Sequence, residues 1–272
     1  MSLVCIITAL PAESRIFIDA LKLRHVQMRG LRLYASEQYL LLQTGLGKLR
    51  AATATGALLH ARPDITAVIN TGIAGAAADL GSVFLAHQVV DAATGVQWFP
   101  HLPPQRQVGR VPTARLLTVD QPASEYREGT LFDMEASGIF MAASNWLSND
   151  SMHSVKVVSD NAKQPLTAFE PAQANALMQA CLPVVMQLAD WHHQSEKGEA
   201  NTQSRDACCD AIHAKVRHTV SDRHQLDRLV QQYTTLLGQV PDLATLQQLS
   251  SASDVRKHLQ NALQKAPLTY GS

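Results

Sequence analysis

Three carboxylates stand where chemistry could be done in this sequence. Glu135 follows Phe132-Asp133-Met134 and opens an apolar run, Ala136 to Trp146, long enough for about three turns of buried helix. Asp160 follows a β-branched strand, Val155-Lys156-Val157-Val158, within the tetrapeptide Ser159-Asp160-Asn161-Ala162. Glu13 lies just beyond a first strand, Leu3 to Ala9, in the first turn of a helix that Pro11 opens without needing an N–H. In an open α/β sheet ligands bind beyond the carboxyl ends of the strands, so these positions present acids to one crevice. Such acids suit proton transfer or contacts to sugar hydroxyls. Each has a plainer use as well. Asp160 and Asn161 can turn the chain, and Glu13 and Glu135 suit the positive end of a helix dipole.

The elements that must position these acids alternate between strands and helices. After the helix from Pro11 to about Leu23 come strands Leu31–Ala35 and Tyr39–Thr44, with Ser36-Glu37-Gln38 between them. Thr44-Gly45-Leu46-Gly47-Lys48 then enters an Ala-rich helix, Leu49 to His60. That loop fits neither a P-loop nor a dinucleotide fingerprint, and reads as a tight turn first and an anion or sugar contact second. Strand Ala67–Asn70 runs into the small residues Thr71 to Ala78, read as a loop that lets backbone approach a flat ligand. Val83–Leu85, Gln88–Val90 and Arg115–Val119 are further strands, and Gly95 to Gly109 is irregular. A long helix, Ala172 to about Trp191, is expected to kink near Pro183. The fold class is therefore α/β, a central mixed sheet flanked by helices.

The chain has 272 residues, 46% of them hydrophobic, enough for one large α/β domain with an appendage. Formal net charge is zero, which gives no bulk reason to expect nucleic acid. No apolar run reaches the length of a membrane span, and the N-terminus reads directly as a strand rather than as a signal peptide. The four cysteines, Cys5, Cys181, Cys208 and Cys209, have no disulfide-framework spacing, so a cytoplasmic location is expected. Composition shifts after residue 193. Residues 194–206 read as a polar linker, and residues 207–272 as a helical extension of unassigned role, with Leu226, Leu229, Val230 and Tyr233 on one stripe and a last helix capped at Ser253-Asp254. Cys208, Cys209, His213 and His218 could form a metal site, but adjacent cysteines are poor joint ligands for tetrahedral zinc, so no metal is expected.

Several segments together resemble a known family: Ile6-Ile7-Thr8-Ala9-Leu10-Pro11-Ala12-Glu13, Thr44-Gly45-Leu46-Gly47-Lys48, Asn70-Thr71-Gly72-Ile73-Ala74-Gly75, Asp133-Met134-Glu135 and Ser159-Asp160-Asn161-Ala162. In this order and spacing they look like the nucleoside phosphorylase superfamily, closest to its methylthioadenosine/S-adenosylhomocysteine nucleosidase-like hydrolases. The resemblance covers residues 1–193. It implies a nucleoside phosphorylase-like α/β/α sandwich and cleavage of an N-glycosidic bond through an oxocarbenium-like ribosyl cation. By the resemblance Asp160 protonates the purine at N7 and Glu13 activates water. Glu135 takes the ribose hydroxyls, and Met134 packs on the sugar. Ser159 and Asn161 orient Asp160, while Ile73, Ala74 and Gly75 line the base or sugar. No cofactor is implied. The expected partners are a nucleoside, water as acceptor (alternatively phosphate) and further copies of the chain in a homo-oligomer, with no nucleic acid and no membrane.

The chain departs from the family in places. Ile73 stands where its hydrolases and several phosphorylases carry serine, no clear arginine pair offers a phosphate fork, and the stretch from Val90 to Thr113 is short. These features favour water over phosphate and leave the group on the sugar 5′ carbon open, with a 5′-modified adenosine such as 5′-methylthioadenosine or 5′-deoxyadenosine expected first. Gly-Ile-Ala-Gly and Val-Asp-Gln-Pro also resemble the hopanoid-associated phosphorylase branch, which keeps phosphorolysis as the alternative. A non-catalytic nucleoside-binding module is the other alternative.

Overall fold

The computed structural model describes residues 3–104, 108–123, 125–164, 171–195, 199–237, 240–246, 248–249 and 251–265. The chain divides into two compact units, Met1–His193 and Gln194–Ser272.

In the first unit, among the described residues, ten strands form one mixed sheet. Strand β1 (Leu3–Thr8) is buried throughout because it is apolar on both faces. Leu3, Cys5 and Ile7 enter one core, and Val4 and Ile6 the other. It lies between β4 (Tyr39–Gln43) and β5 (Ile65–Ala76), parallel to both. Beyond β4, β3 (Leu31–Ala35) and β2 (Arg24–Met28) extend the sheet antiparallel. On its other side β5 pairs parallel with β10 (Met152–Asp160), which pairs antiparallel with β6 (Val83–Asp91). β6 runs parallel to β8 (Thr113–Thr118), and β8 to β9 (Thr130–Asp133). β9 returns antiparallel to the last residues of β5. The pairing β5-β10-β6-β8-β9-β5 is therefore a closed ring. The two-residue β7 (Gln97–Trp98) adds to β6.

Helices cover both faces. On one face α1 (Pro11–Ala20), α4 (Pro171–Met178) and α5 (Leu182–Ser195) bury Phe17, Met178, Val185 and Leu188 against Ile6, Ile69, Val155 and Val157. On the other, α2 (Lys48–Ala61) and α3 (Ala136–Ala143) bury Ala51, Leu58, Ile139 and Phe140 against Cys5, Ile7, Leu40 and Leu42. The two helices cross closely at Gly138, where a Cβ would lie 2.1 Å from the Lys48 carbonyl oxygen.

The expected central mixed sheet with flanking helices is present. Some boundaries differ. Thr71 to Ala76, expected as a loop, continue β5, because pairing to β10 and β9 outweighs the weak strand preference of small residues. The expected helix from 172 to 191 is two helices. Pro183 is the second residue of α5, a first-turn position where its missing N–H costs nothing, so the chain restarts there instead of kinking.

The second unit holds α6 (Glu199–Lys215), α7 (Val220–Leu237), α8 (Leu243–Leu246) and α9 (Ala252–Lys265). Cys208, Ile212, Leu226, Val230, Leu246, Val255 and Leu259 form its core. Residues 199–206, expected as part of the linker, are helical. Residues 196–198 lie outside the described ones. Ser251 rather than Ser253 caps α9: its hydroxyl accepts from the Asp254 amide at 3.2 Å and donates to the Asp254 carboxylate at 2.7 Å.

Candidate active site

The site grows from the carboxyl ends of β1, β5, β9 and β10. Glu13 is the third residue of α1, and its Oε2 accepts from the amides of Ala9 at 3.0 Å and Leu10 at 2.9 Å. It thus satisfies amides at the helix start, the plainer role open to it. The same carboxylate reaches further. Its Oε1 accepts from the Ile73 amide of β5 at 3.0 Å, and the side chain is buried. Each carboxylate oxygen can accept about two hydrogen bonds. Oε2 has both filled, while Oε1 keeps one free among the bonds described.

That free position faces Gly72. A Cβ on Gly72 would lie 2.7 Å from Glu13 Oε1 and 3.5 Å from Lys156 Nζ. Gly72 and Lys156 are register partners on β5 and β10. The glycine thus lets a carboxylate and an ammonium pack together against the strand. Lys156 is 2% exposed and pairs with Asp133 Oδ2 at 2.9 Å. Burial works against its charge, but Asp133, Glu135 and Glu13 outweigh that and move its pKa up. Burial pushes the Glu13 pKa up, with Lys156 opposing.

Glu135 is the N-cap of α3, as its position before an apolar run suggests. Its Oε1 accepts from the Gly47 amide at 2.7 Å, so the glycine loop gives that N–H to a carboxylate of the protein. Gly45 and Gly47 both hold positive φ, which makes the loop the expected tight turn. Burial, then the negative charge of Asp133, raises the Glu135 pKa to about 7. Asp133 is fixed in turn. Its Oδ1 accepts from Thr118 Oγ1 at 2.7 Å and its Oδ2 from the Ala136 amide at 2.9 Å. Ser137 donates from its hydroxyl to Asp91 at 2.8 Å, and Lys48 Nζ lies 3.0 Å from both Asp91 and Asp120. Despite burial, these Ser137 and Lys48 donors hold the Asp91 carboxyl well below the usual range.

Asp160 ends β10. The β5–β10 register shifts between Val158 and Asp160, a bulge that brings Asp160 opposite Gly75. A Cβ on Gly75 would come 2.6 Å from Asp160 Oδ2 and 2.6 Å from the Tyr126 ring. Ser159 Oγ donates to Asp160 Oδ1 at 2.5 Å, and Tyr126 OH to Asp160 Oδ2 at 2.5 Å. Asn161 is directed elsewhere. Its Nδ2 donates to the Ala78 carbonyl at 2.8 Å and its Oδ1 accepts from the amides of Lys163 and Gln164, the turn-making role. Ile73 contributes its amide and Ala74 its carbonyl, while Met134 is half-buried between Asp133 and Glu135.

Sequence reading missed Lys156, Tyr126 and the role of Asp133. A lysine amid valines in a strand looks like a solvent-facing residue, and only the pairing with Gly72 reveals it. Among the described residues no group of three or more His, Cys, Asp or Glu side chains is arranged to hold a metal. In the second unit His213 pairs instead with Asp227 at 2.5 Å, and His218 with the Val216 carbonyl.

No family model and no curated protein sequence matches the chain. Solved structures do match. A mutant 5′-methylthioadenosine nucleosidase of Helicobacter pylori, with 5′-methylthioadenosine in its active site, superposes with a TM-score of 0.58 at 10% identity, over 69% of this chain and 99% of that one. Futalosine hydrolase of the same organism gives a TM-score of 0.58 at 10% identity, over 70% and 97%. The 5′-methylthioadenosine/S-adenosylhomocysteine nucleosidase of Streptococcus pneumoniae with 8-aminoadenine gives 0.57 at 19% identity, over 68% and 99%. The chain shares the fold of these nucleosidases, members of the nucleoside phosphorylase superfamily.

Proposed function

We propose that the protein hydrolyses the N-glycosidic bond of a purine nucleoside, with a 5′-modified adenosine of the 5′-methylthioadenosine or 5′-deoxyadenosine type as substrate. The observation that carries this reading is the pair of glycines on β5. Where any side chain would clash, Gly72 lets Glu13 pack against β5 beside Lys156, and Gly75 lets Asp160 pack against it. Water accepting from Lys156 and donating to the open position on Glu13 Oε1 attacks the anomeric carbon. The carbon–nitrogen bond breaks toward the base, which Asp160 protonates at N7 so that it leaves neutral. The water's proton passes to Glu13. Glu135 takes the ribose hydroxyls, and its negative charge stabilises the positive charge that develops on the sugar. The solved nucleosidases with the same fold, one of them holding 5′-methylthioadenosine, support this substrate class.

Electrostatics favour water over phosphate. Glu13, Asp133 and Glu135 surround Lys156, and a phosphate dianion entering among them meets net negative charge. Lys48 already lies between Asp91 and Asp120, and Arg15 pairs with Asp19.

The test is product analysis with 5′-methylthioadenosine, 5′-deoxyadenosine, adenosine and inosine, each with and without phosphate. Free base and free sugar without phosphate are expected. A sugar 1-phosphate formed only with phosphate overturns the hydrolytic reading in favour of phosphorolysis. The variant Asp160→Asn should retain its fold and lose about 10²–10⁴-fold in kcat, the range for a positioned general acid. Near-normal turnover in that variant removes Asp160 from the mechanism.

A further inference from the structure

Each oxygen of Asp160 accepts a side-chain hydrogen bond in the free protein, and the two donors are of different kinds. Ser159 is the adjoining residue, buried on the same strand, and cannot leave without unmaking β10. Tyr126 comes from the turn between β8 and β9, where it is half-buried while its neighbours Glu125, Arg127, Glu128 and Gly129 are all exposed. Its ring stands edge-on to Phe132, with centroids 6.1 Å apart, and fills the space in front of Gly75. The turn rejoins the sheet at Gly129, whose carbonyl accepts from the Arg115 amide at 3.0 Å and whose φ is +68°. The phenol is therefore a flat aromatic group held on the acid from a mostly exposed turn.

We infer that Tyr126 is a displaceable positioning residue: an incoming purine takes the place of its phenol on Asp160 Oδ2, and the ring moves off Gly75 as the base binds. The inference rests on the proposed role of Asp160. A group that protonates a ring nitrogen must bring its own O–H to that nitrogen, and the Tyr126 phenol, 2.5 Å from Oδ2 with its ring against Gly75, stands in that approach. Burial and then the bond to Asp160 push the phenol pKa up to about 12, so at neutral pH it remains a donor to that oxygen. The exchange substitutes one flat ring for another in front of the same glycine, so the site selects aromatic bases that compensate for the lost charge-assisted bond.

The decisive variant is Tyr126→Phe, examined by calorimetric titration with adenine and by steady-state kinetics. With no bond to break, adenine should bind about tenfold more tightly, and KM should fall by a larger factor than kcat changes. In the parent protein carrying ¹³C-labelled tyrosine, adenine should move the Tyr126 resonance toward its position in ligand-free Asp160→Asn. Equal or weaker adenine binding by Tyr126→Phe, with nucleoside cleavage intact in the parent, overturns the role of Tyr126 alone. Failure of the parent both to bind adenine and to cleave nucleosides overturns it together with the nucleosidase reading. Should Tyr126→Phe fail to fold, the resonance decides: a signal that adenine binding leaves unmoved also overturns the inference.

Discussion

The two ends of strand β10 handle burial in opposite ways. All nine of its residues are buried. At its start His153 Nε2 lies 2.9 Å from His192 Nε2, with the Trp191 ring edge-on at 5.6 Å. Burial, reinforced by neighbouring histidines, depresses both pKa values, His153 well below its ordinary value and His192 to about 4. This end avoids charge. Toward the other end, at the middle residue of the nine, Lys156 and its partner Asp133 are nearly inaccessible, and the lysine keeps its charge because three carboxylates face it. The cost of desolvation is the same in kind in both places, met by deprotonation in one and by opposite charge in the other. Only the second answer leaves ions in the half of the strand that leads to Asp160 at its carboxyl end.

Removing the cation tests this most severely. Lys156→Met should cost about 3–5 kcal/mol, because it leaves buried carboxylates without their partner. Urea unfolding measures it. A loss under about 1 kcal/mol would mean that the carboxylates relax by taking up protons, and that the two ends of β10 differ less than their geometry implies.

The sequence showed the acids and hid what holds them. Glu13, Glu135 and Asp160 were legible because each follows a local signal, a helix start or a strand end. The neutral histidine end was not, since nothing near His153 in the sequence marks its partner on α5, 39 residues on. Tyr126 sits in a polar turn, where an aromatic residue carries no periodic signal. Strand β2, Arg24–Met28, has two exposed residues followed by alternation too short to read, and exists through its pairing with β3. Gly72 and Gly75 were read only as members of a run of small residues, and as parts of a loop rather than of β5. Which acid each one admits depends on the register between β5 and β10, a long-range property.

Register supplies a smaller test. Gly72→Ala should cost about 1–3 kcal/mol, the range for overpacking a filled interior. The added Cβ would lie 2.7 Å from Glu13 Oε1 and 3.3 Å from its carboxyl carbon, and three backbone amides keep Glu13 from yielding. In kinetics kcat should fall more than KM rises, since the position lost is the one proposed for water. A variant with parental stability and turnover would show that Glu13 moves freely and is not held for catalysis.

The smallest effect separates the two ends by pH. His192 has the ordinary imidazole value of 6.5 when unfolded and about 4 when folded, so between these values the unfolded chain binds more protons and stability falls as pH falls. Glu135 is the reverse, with an ordinary value of 4.5 unfolded and about 7 folded, so the folded chain binds more protons and stability rises as pH falls through that window. Each contribution is about 1 kcal/mol between pH of about 7 and about 5.5, and the two oppose each other. His153, also depressed, adds to the histidine side and Glu13, also raised, to the carboxylate side, so the variants are read against the parent. Relative to the parent in urea unfolding, Glu135→Gln should lose more stability on acidification, whereas His192→Phe should lose less or gain it. Equal slopes in the two variants would mean that the charged and neutral ends are not independent. The proton taken up by Glu135 would then be tied to the His153–His192 pair.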